Sequence, residues 1–356
     1  MADRKVLFKI LLAVFLLGSA SSAKAMASDE GGEEGFNPGT FILDHIGDAY
    51  DWHILTYNKH PVSIPLPVIL YSKQSGFHVF MSSKFHHGHE NYKGFRIAGK
   101  GEQNEGKVVE LATGERPALD ISITKNVFAL FVSIAIFLWI FISVANTYVR
   151  RGNQAPKGLQ SWVEPVILFV RDDIARPAIG HKYKQFMPYL LTVFFFILIN
   201  NLMGLIPFFP FGANVTGNIA ITMVLALITF IITTCCTNKY YWIHIVNPPG
   251  VPVWLKLPIP LMPLIEAMQV FIKPFVLMIR LFANVTAGHI VPLGFFSLIF
   301  LFGKMNIALG YGVSVISVAF TVFMAFLELL VAFIQAYVFT LLSALYFGMA
   351  APEKHH

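Results

Sequence analysis

Cysteine is nearly absent from the chain, with only Cys235 and Cys236 among 356 residues. The two are neighbours inside an apolar run, which excludes a disulfide framework and leaves a poor metal site. They read as small helix-packing residues. Charge is scarce as well: Asp, Glu, Lys and Arg make up 13% of the residues. No basic run interleaved with aromatics marks a nucleic-acid surface. The phosphate-cradling pattern GxxxxGK[ST] is missing, so no nucleotide is expected to bind, and so is the HExxH pair of a metalloenzyme. An ion-coupled secondary transporter, the alternative reading for a chain of this kind, should show an internal repeat with paired broken helices, and none is visible. No cofactor or metal is implied.

What the chain has is apolar length. Hydrophobic residues reach 56%, 34 of them Phe, and the mean hydropathy is +0.64. Several runs attain the ~20 residues needed to cross a bilayer. The net charge of +6 is then a topology signal, because basic residues at the ends of spans report the cytoplasmic side. Residues 1–25 have a basic start (Arg4, Lys5, Lys9), an apolar stretch and a small-residue end, the pattern of a cleaved signal peptide. Residues 26–124 are polar and extracytoplasmic in this reading. Their acidic opening SDEGGEEG is expected to be disordered, SIPLPVILYS and FHVFMSS to form short strands, and GKGEQNEGKVVELATGERP a charged hairpin or loop. His86, His87, His89 and Glu90 cluster there without a second ligand pair at metal-site spacing, which favours surface histidines over zinc.

The membrane domain follows over residues 125–356. A first span from about Lys125 to Tyr148 ends at Arg150 and Arg151, hence inside the cell. The next stretch, GLQSWVEPVILFVRDDIARPAIG, carries too many charges to span and reads as an amphipathic helix on the cytoplasmic surface. Two further spans, about 186–206 and 216–236, bring Asn200, Asn201 and Asn218 to their non-cytoplasmic ends. These amides are second-rank channel candidates, with helix capping as the plainer reading. A fourth long segment starts at Leu264, is expected to break near Pro292, and reaches a loop FGKMNIALGYG. A fifth runs back from about Ser314 to Phe347. The fold class is therefore an all-α polytopic membrane protein of five transmembrane helices, the last two a long antiparallel hairpin.

The organising residue is Arg280, set mid-helix in FIKPFVLMIRLFANVTAGHIV. Such a charge is unfavourable by roughly 2.5–3.5 kcal/mol at a membrane centre, so it needs a polar cavity or a partner. At helical spacing Gln269, Lys273, Arg280 and Asn284 share a stripe, continued by the small Ala287 and Gly288. On the last helix Thr321, Glu328, Gln335 and Tyr346 share a face. In an antiparallel pair, residues at equal height have numbers with a constant sum. Arg280 with Gln335, and His289 with Glu328, both centre on residues 307–309, which gives an inner and an outer polar layer about 10–14 Å apart. The plainer alternative, a buried Arg280–Glu328 ion pair, disagrees with that register.

MIRLFANVTAGH and FLELLVAFIQAYVFTLLSALY, with NNLMGLIPFF and TGNIAITMVLAL, resemble subunit a of the F-type ATP synthase membrane sector over roughly Ala118 to Ala351. The resemblance implies a non-catalytic stator subunit that conducts protons through two aqueous half-channels. It equates Arg280 with the family's essential arginine, and Asn284 and Gln335 with its motif amides. His289 and Glu328 fall where relatives carry titratable residues, and suit a proton relay. The implied partners are a ring of small rotor hairpin subunits, a peripheral-stalk subunit and, through the complex, the soluble ATPase sector, in the inner membrane of a bacterium. The resemblance does not account for residues 26–124.

Overall fold

The computed structural model describes residues 38–57, 60–88, 90–99, 101–151, 154–206, 209–237, 239–246 and 261–350. The signal-peptide pattern, the acidic opening, His89, the Pro-rich connection 247–260 and the tail 351–356 lie outside the described residues. The chain divides into two compact units, one from residues 1–132, 203–213 and 292–321, the other from 133–202, 214–291 and 322–356.

In the first unit a helix α1 (Pro38–Ile46) leads into short strands β1 (Asp51–Tyr57), β2 (His60–Pro65), β3 (Pro67–Ser72), β4 (Gly76–Met81), β5 (Phe95–Ile97), β6 (Val108–Glu110) and β7 (Leu119–Asp120). Successive side chains of β3 point to opposite faces, so Val68, Leu70 and Ser72 lie inward and are buried while Ile69 and Tyr71 lie outward. Gly76, at φ 81°, makes the tight turn into β4. The strands form a β1–β2 hairpin, a three-stranded antiparallel sheet in the order β4-β3-β7, and a β5–β6 hairpin. Tyr50, Val68, Leu70, Phe80, Phe85, Phe95 and Val108 make the core. The Tyr50 hydroxyl donates to Asp120 at 2.6 Å, and burial together with that carboxylate raises its pKa above the ordinary value. His86 sits on the surface 3.6 Å from Glu90. Among the described residues no group of three or more His, Cys, Asp or Glu could hold a metal ion.

Helix α2 (Lys125–Arg151) opens in this unit. Its first turn is fixed by strand neighbours: the Lys125 amide donates to the Ala49 carbonyl at 2.8 Å and the Asn126 amide to the Asp48 carboxylate at 3.0 Å. These bonds satisfy two of the amides that a helix start leaves without intrahelical partners.

The second unit is helical. Helix α3 (Leu159–Phe169), a π-helical stretch over Val170–Ala175 and a short α4 (Arg176–Ile179) precede α5 (Tyr183–Gly204), α6 (Ile219–Cys235), α7 (Lys239–Val246), α8 (Leu261–Met305) and α9 (Ile307–Ala350). Gly180, at φ 75°, separates the amphipathic run from α5. That run buries Val163, Val170, Ile174 and Ile179 and leaves Trp162 exposed. On its polar side Asp172 accepts from Arg171 at 2.8 Å and from Arg176 at 2.7 Å. Ile174, Leu190, Phe194, Leu277, Leu281, Phe339 and Phe347 belong to the unit's core. Gly348 lies so close to the Ala178 carbonyl that any Cβ would collide with it, which lets the end of α9 rest on the backbone of α4.

Among the described residues four helical stretches are long and apolar enough to cross a membrane: Lys125–Arg150, Leu159–Gly204, Met262–Met305 and Ile307–Ala350. Within the second, the break at Gly180 leaves α5, of 22 residues, as the apolar part. Helix α6 is apolar but has only 17 residues.

Two expectations are corrected. The chain does not break near Pro292, because α8 runs unbroken for 45 residues. A proline removes one amide donor and crowds the carbonyl four residues back, which here belongs to Gly288; a full break in lipid would strand several more backbone groups without water. Nor is FGKMNIALGYG a loop. Asn306 alone separates α8 from α9, and the glycines serve packing: a Cβ on Gly310 would lie 2.8 Å from the Gly303 Cα.

Candidate functional site

Three groups of polar residues stand out in the second unit, and α8 and α9 position two of them. His289 Nδ1 lies 3.5 Å from Glu328 Oε1, each side chain 17% exposed. The two helices bring the pair together because α8 has a glycine at the crossing: a Cβ on Gly288 would stand 3.1 Å from Glu328 Oε1. Glu328 thus points at the α8 backbone and at an imidazole, with two groups that can exchange a proton side by side.

Arg280 is on the exposed side of α8, and among the described residues no carboxylate pairs with it. The Arg280–Glu328 ion pair is therefore overturned: Glu328 is engaged with His289, nine residues and about 13 Å further along α8. Asn284 and the small Ala283 and Ala287 are exposed beside Arg280. Gln335 is buried on α9, seven residues from Glu328, or about 10 Å along the helix. Arg280 acts electrostatically on Tyr346.

At the other end of α8, Lys273 Nζ lies 5.9 Å from the Tyr346 ring centroid and 3.9 Å from the Met349 sulfur. They border a shallow recess whose wall on α6 carries Thr229, Thr233 and Thr234. Gln269 is half-buried on the turn before Lys273.

The third group is a knot of buried amides where α5 ends and α6 begins. Asn201 donates to the Ala332 carbonyl at 3.3 Å and accepts from the Thr216 hydroxyl at 2.6 Å. Asn200 donates to Phe196 O at 2.8 Å, while the side-chain oxygens of Asn200 and Asn214 are buried without a hydrogen-bond partner. Unpaired buried carbonyl oxygens ask for water. Ala332 is one turn from Glu328, so the knot reaches the neighbourhood of the acid. Asn218 stands apart as the N-cap of α6, its side chain accepting from the Ala220 amide at 3.0 Å. In the first unit Thr321 is buried, and its hydroxyl donates to Ser317 O at 2.8 Å.

Sequence reasoning missed Asn214, Thr216 and Thr286, whose hydroxyl oxygen is buried and unpartnered. GANVTGN reads as a turn, and only burial separates a turn amide from a channel amide. Thr286 had a signal, lying three residues before His289 on the same helix.

The long apolar helices, which carry a half-buried imidazole–carboxylate pair, an amide knot and an exposed arginine that no carboxylate pairs with among the described residues, mark a polytopic α-helical membrane protein. Comparison with known proteins narrows the class. The model for ATP synthase A chain matches residues 127–348, and a domain of unknown function (DUF8433) matches residues 41–127. ATP synthase subunit a of Chloroherpeton thalassium is 42% identical over 255 residues, covering 70% of this chain and 72% of the relative. ATP synthase subunit a 2 of Chlorobaculum tepidum is 44% identical over 253 residues, covering 69% and 68%. ATP synthase subunit a of Myxococcus xanthus is 40% identical over 250 residues, covering 67% and 76%. The chain belongs to the ATP synthase A chain family.

Proposed function

We propose that this chain is the proton-conducting stator subunit of an F-type ATP synthase membrane sector, itself without catalytic chemistry. The observation that carries the reading is the His289–Glu328 contact, with Arg280 further along the same helix where no carboxylate pairs with it among the described residues. Protons enter from the outer side through water held by Asn200, Asn201 and Asn214, and reach the carboxylate of Glu328 with His289 as exchange partner. The path then passes to a carboxylate of a rotor ring made of small hairpin subunits. A carboxylate cannot cross lipid while ionised, so it gives up its proton only beside a fixed cation. Arg280 supplies that cation. Its guanidinium stays charged at physiological pH, and it therefore also blocks direct leakage between the two half-channels. Asn284 and Gln335 orient groups near it.

Lys273, Tyr346 and the threonine-lined recess form the cytoplasmic exit, with Gln269 at its rim; Asn218 and Thr321 serve as a cap and a packing hydroxyl rather than as path residues. Helix α6 completes a count of five spans, since 17 residues can cross a thinned or locally polar region. Helices α8 and α9 exceed what an upright span needs: 45 residues reach roughly 67 Å against a hydrocarbon core of about 30 Å. Met305, Ile307 and Val315 are exposed near their tip, so the pair lies strongly tilted within the lipid. Residues 1–25 are a cleaved signal peptide, 26–124 lie outside the cytoplasm, and the C-terminus lies inside, in a bacterial inner membrane. The ring, a peripheral stalk and, through them, the soluble ATPase are the partners.

The test is Arg280→Ala in the assembled complex. The variant inserts and co-purifies with ring, stalk and soluble subunits, but vesicles carrying it show neither ATP-driven pumping nor proton-driven ATP synthesis. Coupled activity in either direction would refute the role given to Arg280, and a chain that purifies alone and transports in liposomes would favour a secondary transporter.

A further inference from the structure

The outer face of the β4-β3-β7 sheet is apolar at every position. Its hydrogen-bonded register sets Tyr71 between Phe77 and Leu119. The next row sets Ile69 against Val79 and against Ile121, whose amide donates to the Ile69 carbonyl. The last row sets Pro67 against Met81 and Ile123, whose amide donates to the Pro67 carbonyl. The opposite face of the same strands, with Val68, Leu70 and Phe80, already fills the core. No described residue covers the outer face: Phe77 is 65% exposed, Ile121 58% and Val79 53%. A half-buried antiparallel sheet normally turns polar residues outward, and here the outward face is apolar as well as the part of the inner face that fills the core.

Three strands about 4.8 Å apart and three rows two residues apart make a face of roughly 250–300 Å². That is well below the ~800 Å² per partner of a stable protein–protein contact. A second copy or a diffusing protein is therefore a poor occupant. A surface held permanently against the sheet suffers no such limit, because a tether supplies the effective concentration. The chain provides the tether, since the β7 strand continues through Ile123 and only Thr124 separates it from α2 at Lys125. Tyr71 and Phe77 flank a polar turn that carries Lys73, and this mixture of aromatic and lysine suits a headgroup boundary.

We infer that this sheet face docks on the lipid surface beside the first membrane helix, so that the segment 41–127, which matches a domain of unknown function, lies on the bilayer rather than projecting from it. The inference uses only the insertion of α2 and is independent of the proton path. The test is spin-label accessibility in full-length chain, in nanodiscs of phosphatidylethanolamine and phosphatidylglycerol. Phe77→Cys, Ile121→Cys and, as control, the exposed Gln103→Cys are each made in a Cys235→Ala/Cys236→Ala background. Labels at 77 and 121 should collide several-fold more with oxygen than with a water-soluble nickel chelate, and the label at 103 should do the reverse. Adding Val79→Asp should switch the label at 121 to the chelate-accessible class. Chelate access at 77 and 121 in the unsubstituted face would overturn the inference by showing a face in water. Shielding from both reagents would overturn it in favour of a protein occupant, and so would indifference to Val79→Asp.

Discussion

Replacing Gly288 with alanine probes the crossing of α8 and α9 by a single methyl group. In the backbone geometry of this helix the added Cβ would lie 3.1 Å from Glu328 Oε1 and 3.4 Å from both Cγ and Cδ of the same side chain. Ordinary carbon contacts settle near 3.5–4.0 Å, so the carboxylate must move by several tenths of an ångström. Glu328 Oε1 is also the atom 3.5 Å from His289 Nδ1, and its movement changes the distance that a proton must cross. A side chain turned off its rotamer costs about 0.5–1.5 kcal/mol, equivalent to a two- to twelvefold fall in rate if the strain enters the transfer step. Helix propensity acts in the opposite direction, since alanine is better than glycine within a helix by up to about 1 kcal/mol. The variant should therefore assemble normally and pump slowly. The assay is the initial rate of ATP-driven acidification in inverted vesicles, normalised to assembled complex. Glu328→Asp withdraws the carboxylate by one methylene, and its loss combined with Gly288→Ala should be smaller than the two single losses predict. An unchanged rate for Gly288→Ala, or strictly additive losses, would refute the idea that this methyl group acts through Glu328.

Glu328→Gln keeps size and removes the titratable group, so flux should fall severely with no rise in passive proton leak; the swap Glu328→His with His289→Glu should recover more flux than either single change, measured as the same acidification rate. Asn201→Leu leaves the Thr216 hydroxyl and the Ala332 carbonyl without their partner. The expected loss is about 1–3 kcal/mol, read as a lower temperature at which the purified complex loses this subunit. In the strand-rich part of the first unit the raised pKa of Tyr50 means that its stabilising contribution is complete below the unfolded-state value of about 10 and is lost as pH rises above it. Near-UV circular dichroism should show an alkaline unfolding transition, and Tyr50→Phe should abolish that dependence while lowering stability near neutral pH.

Much of the site was legible because its residues stand against an apolar background. Arg280 and Glu328 are conspicuous where every neighbour suits lipid, and a constant-sum register placed His289 opposite Glu328 without coordinates. The same background hid other features. Gly303 and Gly310 looked like turn residues, since a glycine that permits a left-handed backbone and one that admits a neighbouring helix are written with the same letter. Pro292 looked like a break, although in lipid a helix that bends around one missing donor is better than a loop that exposes several. Asn214 and Thr216 required tertiary burial to be distinguished from caps. The strands around Leu70 and Phe80 announced themselves as short apolar runs between turn residues, but the outer positions Phe77, Val79 and Ile121 became a surface only when the sheet order was known.

The open face of α8 also has a mechanical meaning. Around Arg280 it exposes Val276, Ile279, Ala283 and Ala287, short or smooth side chains with Asn284 as the only neighbouring amide. In the proposed stator role a rotor gliding past such a face would meet little friction, because almost nothing there can form a hydrogen bond that must be broken at each step. It meets one deep well per passing carboxylate, at the guanidinium, and a nearly flat track between wells. Torque would then be set by the arrival of protons rather than by drag, and a polar residue introduced at Ala283 or Ala287 would act as a brake.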